Sequence, residues 1–163
     1  MTKPPALGTT RVRDVMAKTP VTIDPEAPLA TALAVMRERT LRHLPVTDER
    51  GRLIGIVTDR DIRSALFAPA IAEYLPSDGR LRSFAASIER VRVRDVMTWG
   101  AVTIGRDAPI AQAAAVMADA RVGSLPVVDG EQLVGIVTER DVLRALADTL
   151  PSIKGADPDS YLW

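Results

Sequence analysis

The chain has no cysteine and only one histidine, His43. Without thiols there is no disulfide, no thiolate metal site and no cysteine nucleophile, and the composition suits a reducing compartment. A single imidazole does not make a metal site; such a residue more often packs or faces water, although its protonation can modulate phosphate binding. Aromatic residues make up only 4% of the chain, too few for a stacking platform for single-stranded nucleic acid. Net charge is lacking too, because 21 Lys and Arg balance 21 Asp and Glu. Nothing therefore draws the whole molecule to nucleic acid or to an anionic membrane. Local arginine clusters (Arg37, Arg39, Arg42, Arg50 and Arg52; Arg80, Arg82, Arg90, Arg92 and Arg94) read as salt-bridged surface. No run of about 18 apolar residues could span a membrane, and Met1 to Arg13 holds no apolar signal core, so the cytoplasm is the expected compartment. The sequence has no Gly-x-x-x-x-Gly-Lys loop, no His-Glu-x-x-His and no Gly-x-Ser-x-Gly elbow, so catalysis and a catalytic metal are not expected.

What the sequence does contain is itself, twice. Val12-Arg13-Asp14-Val15-Met16 returns as Val93-Arg94-Asp95-Val96-Met97, and Val21-Thr22-Ile23 returns as Val102-Thr103-Ile104. Leu44-Pro45-Val46 matches Leu125-Pro126-Val127, and Gly55-Ile56-Val57-Thr58-Asp59-Arg60-Asp61 matches Gly135-Ile136-Val137-Thr138-Glu139-Arg140-Asp141. The offset is 81 up to Asp48 and 80 afterwards, a one-residue slip in a turn. Blocks of this length do not recur in register by chance. The division expected is a first repeat over 9–67, a partly helical linker over 68–89, a second repeat over 90–149 and a flexible tail over 150–163. No separate effector domain fits between the repeats.

Each copy reads as βαββα. Val21–Ile23 and Val102–Ile104 are β-branched runs expected to form strands. Pro28 and Pro109 stand where helices can start, followed by apolar residues at helical spacing: Leu29, Ala32, Leu33 and Met36, then Ile110, Ala113, Ala114 and Met117. Leu44–Val46 and Leu53–Val57 form a hairpin across Asp48–Arg52, with Asp129-Gly130 at the matching turn of the second copy. A further helix follows Thr58 and Thr138. Helices are also expected at Ala70–Leu75 and Leu81–Ile88, and Tyr161 and Trp163 give the tail an apolar end. One such unit is too small to cover its own sheet. The fold class is therefore α+β, with two repeats related by a pseudo-two-fold axis, packed sheet to sheet, and paired clefts where strand ends meet.

The residues able to carry chemistry are Thr58, Asp61, Thr138 and Asp141. An isolated Thr-x-x-Asp is first a capping box, threonine receiving a backbone N–H and the acid reaching back. Here the box follows a strand directly, inside a duplicated unit, so the helix N-terminus faces a crevice. A carboxylate there can accept from two sugar hydroxyls, and the threonine hydroxyl can bond a sugar or phosphate oxygen. Arg60 and Arg140 can neutralise a phosphate tail or stand solvated on the helix. Both readings are open at the level of the residues.

The combination of Val-Thr-Ile, Leu-Pro-Val-x-Asp and Gly-Ile-Val-Thr-x-Arg-Asp, led in by Val-Arg-Asp-Val-Met, resembles the cystathionine β-synthase (CBS) domain. Two in tandem are similar to a Bateman module, and the resemblance covers 9–67 and 90–149. It implies a regulatory module that binds AMP, ADP or ATP, or else S-adenosylmethionine or NADH, between the repeats, with no required cofactor. It also implies that Asp61 and Asp141 hold ribose hydroxyls and that Thr58 and Thr138 hold ribose or phosphate. Adenine would lie against Val21, Thr22 and Ile23 or Val102, Thr103 and Ile104, with His43, Leu44 and Pro45 or Ser124, Leu125 and Pro126 lining the pocket. Arg42-His43 against Gly123-Ser124 predicts unequal affinities. The expected partners are a second copy, in a homodimer, and an effector protein of unknown identity. The rival is a pure dimerisation module whose clefts stay empty and whose threonines only cap.

Overall fold

The computed structural model describes residues 10–67 and 88–149. The Ala70–Leu75 helix, nearly all of the Leu81–Ile88 helix and both chain tails, with Tyr161 and Trp163, lie outside the described residues. In chain order the elements are α1 (Val12–Val15), β1 (Ala17–Lys18), α2 (Leu29–Arg39), β2 (His43–Thr47), β3 (Leu53–Thr58) and α3 (Asp59–Phe67). After a 3-10 turn at Val93–Asp95 come β4 (Thr98–Trp99), β5 (Ile104–Gly105), α4 (Ile110–Ala120), β6 (Ser124–Asp129), β7 (Gln132–Thr138) and α5 (Glu139–Thr149).

The apolar spacing of α2 and α4 is realised as one buried stripe each: Leu29, Ala32 and Met36 in α2, and Ile110, Ala113 and Met117 in α4. Leu33 and Ala114 sit at the edge of those stripes, half-buried. Pro28 and Pro109 occupy the N-cap positions, one residue before the helices begin. Proline has no N–H to waste there, and no side chain caps either helix. Both helices end on a residue in the left-handed region, Thr40 and Arg121, each at φ 55°. The N–H of the following residue turns back to the helix, Leu41 to Met36 O at 2.8 Å and Val122 to Met117 O at 3.0 Å, a Schellman-type stop.

Both hairpins form as expected. β2 pairs antiparallel with β3, Leu44 opposite Val57, and β6 with β7, Leu125 opposite Val137. In the first turn the Asp48 carboxylate accepts the backbone N–H groups of Arg50 and Arg52, at 3.0 and 2.9 Å. These bonds, with the Arg52 guanidinium beside them, hold its pKa below the ordinary carboxylate value.

The first strand of each repeat is shorter than its β-branched run suggests. Val21–Ile23 contributes only one parallel bridge, Ile23 to Val46, and in the second copy the strand begins at Ile104 rather than Val102. Ile23 and Ile104 are buried, whereas Thr22, Val102 and Thr103 face outward with no ladder on that side. β-propensity expresses itself where a pleated partner is available.

The lead-in segments are exchanged. β1, from the start of the first repeat, pairs with β7 of the second (Ala17 opposite Ile136), while β4 pairs with β3 of the first (Gly55 opposite Trp99). The backbone follows suit: Val12 N–H donates to Ala108 O and Ile110 N–H to Thr10 O, mirrored by Val93 N–H to Ala27 O and Leu29 N–H to Val91 O. The last bond of each pair satisfies a helix N-terminal N–H that the proline N-cap leaves unserved. Arg13 ion-pairs with Asp107, and Arg94 with Glu26, at the same seams.

The result is a four-stranded sheet, β1-β7-β6-β5, and a three-stranded one, β2-β3-β4. Among the described residues there are two apolar cores, one of the first repeat closed by Val91, Val93 and Met97, the other of the second repeat closed by Val12. Two glycines of the repeated block are explained by this crossing. A Cβ on Gly55 would stand 2.5 Å from Thr98 O, and one on Gly135 would stand 2.9 Å from Ala17 O. Side-chain-free backbone is what lets the exchanged strands lie against β3 and β7.

Candidate functional site

β3 ends at Thr58 and α3 starts at Asp59, so the helix N-terminus follows the strand without a loop. Asp61 Oδ2 accepts both the Thr58 N–H at 2.9 Å and the Thr58 hydroxyl at 2.7 Å, and the Asp61 N–H donates back to Thr58 Oγ1 at 3.2 Å. The second copy repeats the box, with Thr138 N–H and hydroxyl to Asp141 Oδ2 at 2.9 and 2.7 Å and the return bond at 3.4 Å. The capping role is therefore filled in both repeats. It engages one carboxylate oxygen and the threonine's single hydroxyl proton. Among the described residues Oδ1 of each aspartate, on a half-buried side chain, has no hydrogen-bond partner, so what such a site asks for is a hydroxyl or N–H donor.

Between the repeats lies a cleft of about 370 Å³. From the first repeat it takes Arg42, His43, Ile56, Thr58, Asp59, Arg60, Asp61 and Arg63. From the second come Thr98, Gly100, Ala101, Val102, Arg121, Val122, Gly123, Ser124, Pro126 and Glu139. The volume falls within the ordinary range of small-molecule sites. Of the residues singled out in the sequence, Thr58, Asp61, Arg60, His43, Val102, Ser124 and Pro126 meet here.

The others do not line this cleft. Leu44 and Pro45 of β2 and Leu125 of β6 are fully buried, and Ile23 and Ile104 belong to the two cores. Val21 packs against the first core, and Thr22 and Thr103 are exposed. Thr138, Arg140 and Asp141 sit at the equivalent helix start of the second repeat. Gly100 and Ala101 were missed because they belong to the exchanged lead-in. Asp59 and Glu139 stand inside the repeated block, but their place at the cleft shows only when the two repeats come together.

The charges are arranged around Asp59. Its carboxylate takes Arg63 at 2.7 Å and Arg42 at 3.5 Å, and its own N–H bonds Arg42 O at 3.0 Å. An acid at the first turn also suits the helix dipole. His43, opposite Thr58 in the hairpin, reaches toward the other repeat: a Cβ on Gly123 would lie 3.4 Å from His43 Nε2 and 3.6 Å from Glu139 Oε2. The difference between Arg42-His43 and Gly123-Ser124 is thus a fit across the pseudo-axis, the imidazole against a residue with no side chain. Burial pushes the His43 pKa below 6.5, the effect of Asp59 opposing it and that of Arg42 adding to it; Glu139 and Asp61 also oppose. The ring is neutral at neutral pH. Among the described residues no group of three or more His, Asp and Glu is placed to hold a metal, and no helix is long and apolar enough to cross a membrane.

The family model for the CBS domain matches residues 12–68 and again 93–148. A CBS domain-containing protein of Dictyostelium discoideum is 35% identical over 146 residues, covering 87% of this chain and 94% of that one. An L-aspartate semialdehyde sulfurtransferase of Methanocaldococcus jannaschii is 29% identical over 143 residues, but the match takes in only 24% of its length. Among solved structures, the CBS domain pair of protein MJ0100 in complex with 5′-methylthioadenosine and S-adenosyl-L-methionine superposes with a TM-score of 0.71 at 28% identity, covering 87% of this chain and 99% of that one. CBSX2 in complex with AMP gives 0.66 at 27% identity, covering 84% and 96%. Two matches to one family model, in register with the internal repeat and the paired helix caps, lead to one conclusion: the chain belongs to the CBS domain family and carries two of these domains in tandem.

Proposed function

We propose that this tandem pair is a regulatory module, not a catalyst, that binds an adenosine-containing nucleotide (AMP, ADP or ATP, with S-adenosylmethionine or NADH as relatives) in the cleft between its repeats. The observation that carries the reading is the unspent carboxylate oxygen of Asp61 at the cleft, beside a helix N-terminus. It offers acceptors to a ribose diol while the capping bonds stay intact. Val102 and Ile56 supply apolar wall for a base, and Arg60 stands where a phosphate would emerge. The similar CBS pairs that hold AMP or S-adenosyl-L-methionine support the ligand class. Asp61 lines the described cleft and Asp141 does not, which favours occupancy on the Asp61 side.

The signal would pass through a change in dimer or partner geometry, because a ligand shifts an equilibrium only by its differential affinity for two states. A homodimer in the cytoplasm is the setting we propose, with Leu143 and Leu146 of α5 exposed as apolar contact surface. A second reading, a dimerisation module with empty clefts, is favoured by the complete capping boxes in which Thr58 with Asp61 and Thr138 with Asp141 are already engaged. Calorimetry and thermal shift with adenosine, AMP, ADP, ATP, S-adenosylmethionine and NADH decide between them. Ligand at a hundredfold excess over its Kd raises stability by about 2.7 kcal/mol. The nucleotide reading expects that rise in the wild type and its loss in Asp61→Ala, measured from each variant's own ligand-free baseline. No rise with any of the compounds at millimolar concentration would leave the assembly module standing.

A further inference from the structure

We infer that Arg121 gives this cleft its preference for a phosphate chain, gripping it together with Arg60 so that a di- or triphosphate is held more tightly than the bare nucleoside. The inference rests on the nucleotide reading above and adds to it a residue that neither the repeat nor the capping motif singles out.

Four arginines and three carboxylates line the cleft, but they are not equally available. Arg42 and Arg63 are both drawn to Asp59, and Asp61 has one oxygen tied to its own cap. Arg60 and Arg121 are exposed and make no ion pair among the described residues. They come from opposite repeats, Arg60 from the first turn of α3 and Arg121 from the C-cap of α4. The cleft therefore offers an acceptor at Asp61 Oδ1 and two guanidiniums without an ion pair among the described residues, one from each repeat. A ligand that donates at one point and carries several anionic oxygens at another matches that polarity, and guanidinium forks suit phosphate oxygens.

The backbone at Arg121 adds an independent argument. It lies at φ 55° and ψ 41°, a conformation natural to glycine or asparagine. The fold imposes it, since Thr40 at the equivalent place has φ 55° and ψ 40°. A cation suits the negative end of the α4 dipole, but the backbone there favours glycine, and Arg121 also lines the cleft. The first repeat has a neutral threonine there, so the cation is not part of the repeated pattern. Glu139 is the countervailing charge, and it lies toward Gly123 and His43.

The test compares affinities for adenosine, AMP, ADP and ATP, by calorimetry at fixed ionic strength, in the wild type, Arg121→Gly and Arg121→Lys. Glycine suits the backbone, so Arg121→Gly should melt at the wild-type temperature or above and its binding cannot be dismissed as misfolding. The wild type should gain affinity from adenosine to ATP. In Arg121→Gly the ratio of ATP to adenosine affinity should drop about tenfold, as expected for one lost charge-assisted bond, with Arg121→Lys falling between. Binding of adenosine or AMP with no further gain for ADP or ATP, or the same ratio in all three proteins, would overturn the role of Arg121 and leave the nucleotide reading intact. Failure of all four compounds to bind the wild type would overturn the role of Arg121, and failure of S-adenosylmethionine and NADH as well would overturn the nucleotide reading.

Discussion

Replacing Gly55 by alanine probes the exchange of lead-in strands more directly than any core truncation. The added Cβ would lie 2.5 Å from the carbonyl oxygen of Thr98 and 3.3 Å from Met97 Sδ. A relaxed C···O contact needs about 3.3 Å, so the β4 backbone must retreat by about 0.8 Å or lose its pairing. Overpacking of this kind costs about 1–3 kcal/mol, partly offset by the about 0.4–1 kcal/mol that alanine contributes by stiffening the unfolded chain. The net expectation is a loss of about 1–2 kcal/mol, or roughly 2–8 °C in Tm for a chain of this size. Gly135→Ala should be milder. Its nearest neighbour at 2.6 Å is the movable Met16 sulfur, and the backbone oxygen of Ala17 is at 2.9 Å. Gly105→Ala, with ordinary φ and nothing within 4 Å, is the matched control and should be neutral or slightly stabilising. Urea and thermal denaturation of the three variants give the ranking. Equal stabilities for Gly55→Ala and Gly105→Ala would refute the claim that close backbone approach selects glycine here.

Asp61→Ala and Asp141→Ala should each lower ligand-free stability by about 0.5–2 kcal/mol, because the two caps have the same geometry; a silent Asp141→Ala in denaturant melts would contradict that equivalence. Leu44→Ala, at a fully buried position, should lose about 2–5 kcal/mol on the same scale. Arg13→Ala and Arg94→Ala remove exposed seam pairs and should change stability by less than about 1 kcal/mol, the difference vanishing as salt is raised. Because burial lowers the His43 pKa, the unfolded chain holds the extra proton more readily than the folded one. Stability should therefore decline as pH drops from 6.5 toward that lowered value, and the decline should flatten in His43→Gln when Tm is followed against pH.

The two hairpins, the helices after Thr58 and Thr138 and the stripes on α2 and α4 were legible because each is encoded by local spacing and repeated. The exchange of the lead-ins was not. Val12–Met16 and Val93–Met97 are identical, so sequence carries no label saying which repeat each joins; only the reach of the intervening chain and the fit against Gly55 and Gly135 decide it. The reduced first strand was hidden for a different reason, since Val21-Thr22-Ile23 has the right propensity and lacks a second neighbour. At the site, the capping motif was visible, whereas His43 and Ser124 were expected at the equivalent places of two pockets and instead line one cleft with Thr58 and Asp61. Arg121 was invisible, because its position matters only once α4 is seen to end at the cleft of the other repeat.

The crossed lead-ins also order events during synthesis. A chain leaving the ribosome completes the β2–β3 hairpin and α3 by residue 67, yet that core stays open until Val91, Val93 and Met97 have emerged. Val12 is made before every other residue of its core and cannot dock until residues 104 to 145 have emerged. Such long-range closure slows folding and leaves apolar edges waiting in the interval. The nascent first repeat is therefore the stage at which this protein is most exposed to misassociation, and a stop introduced after residue 67 would release a fragment that cannot finish either half.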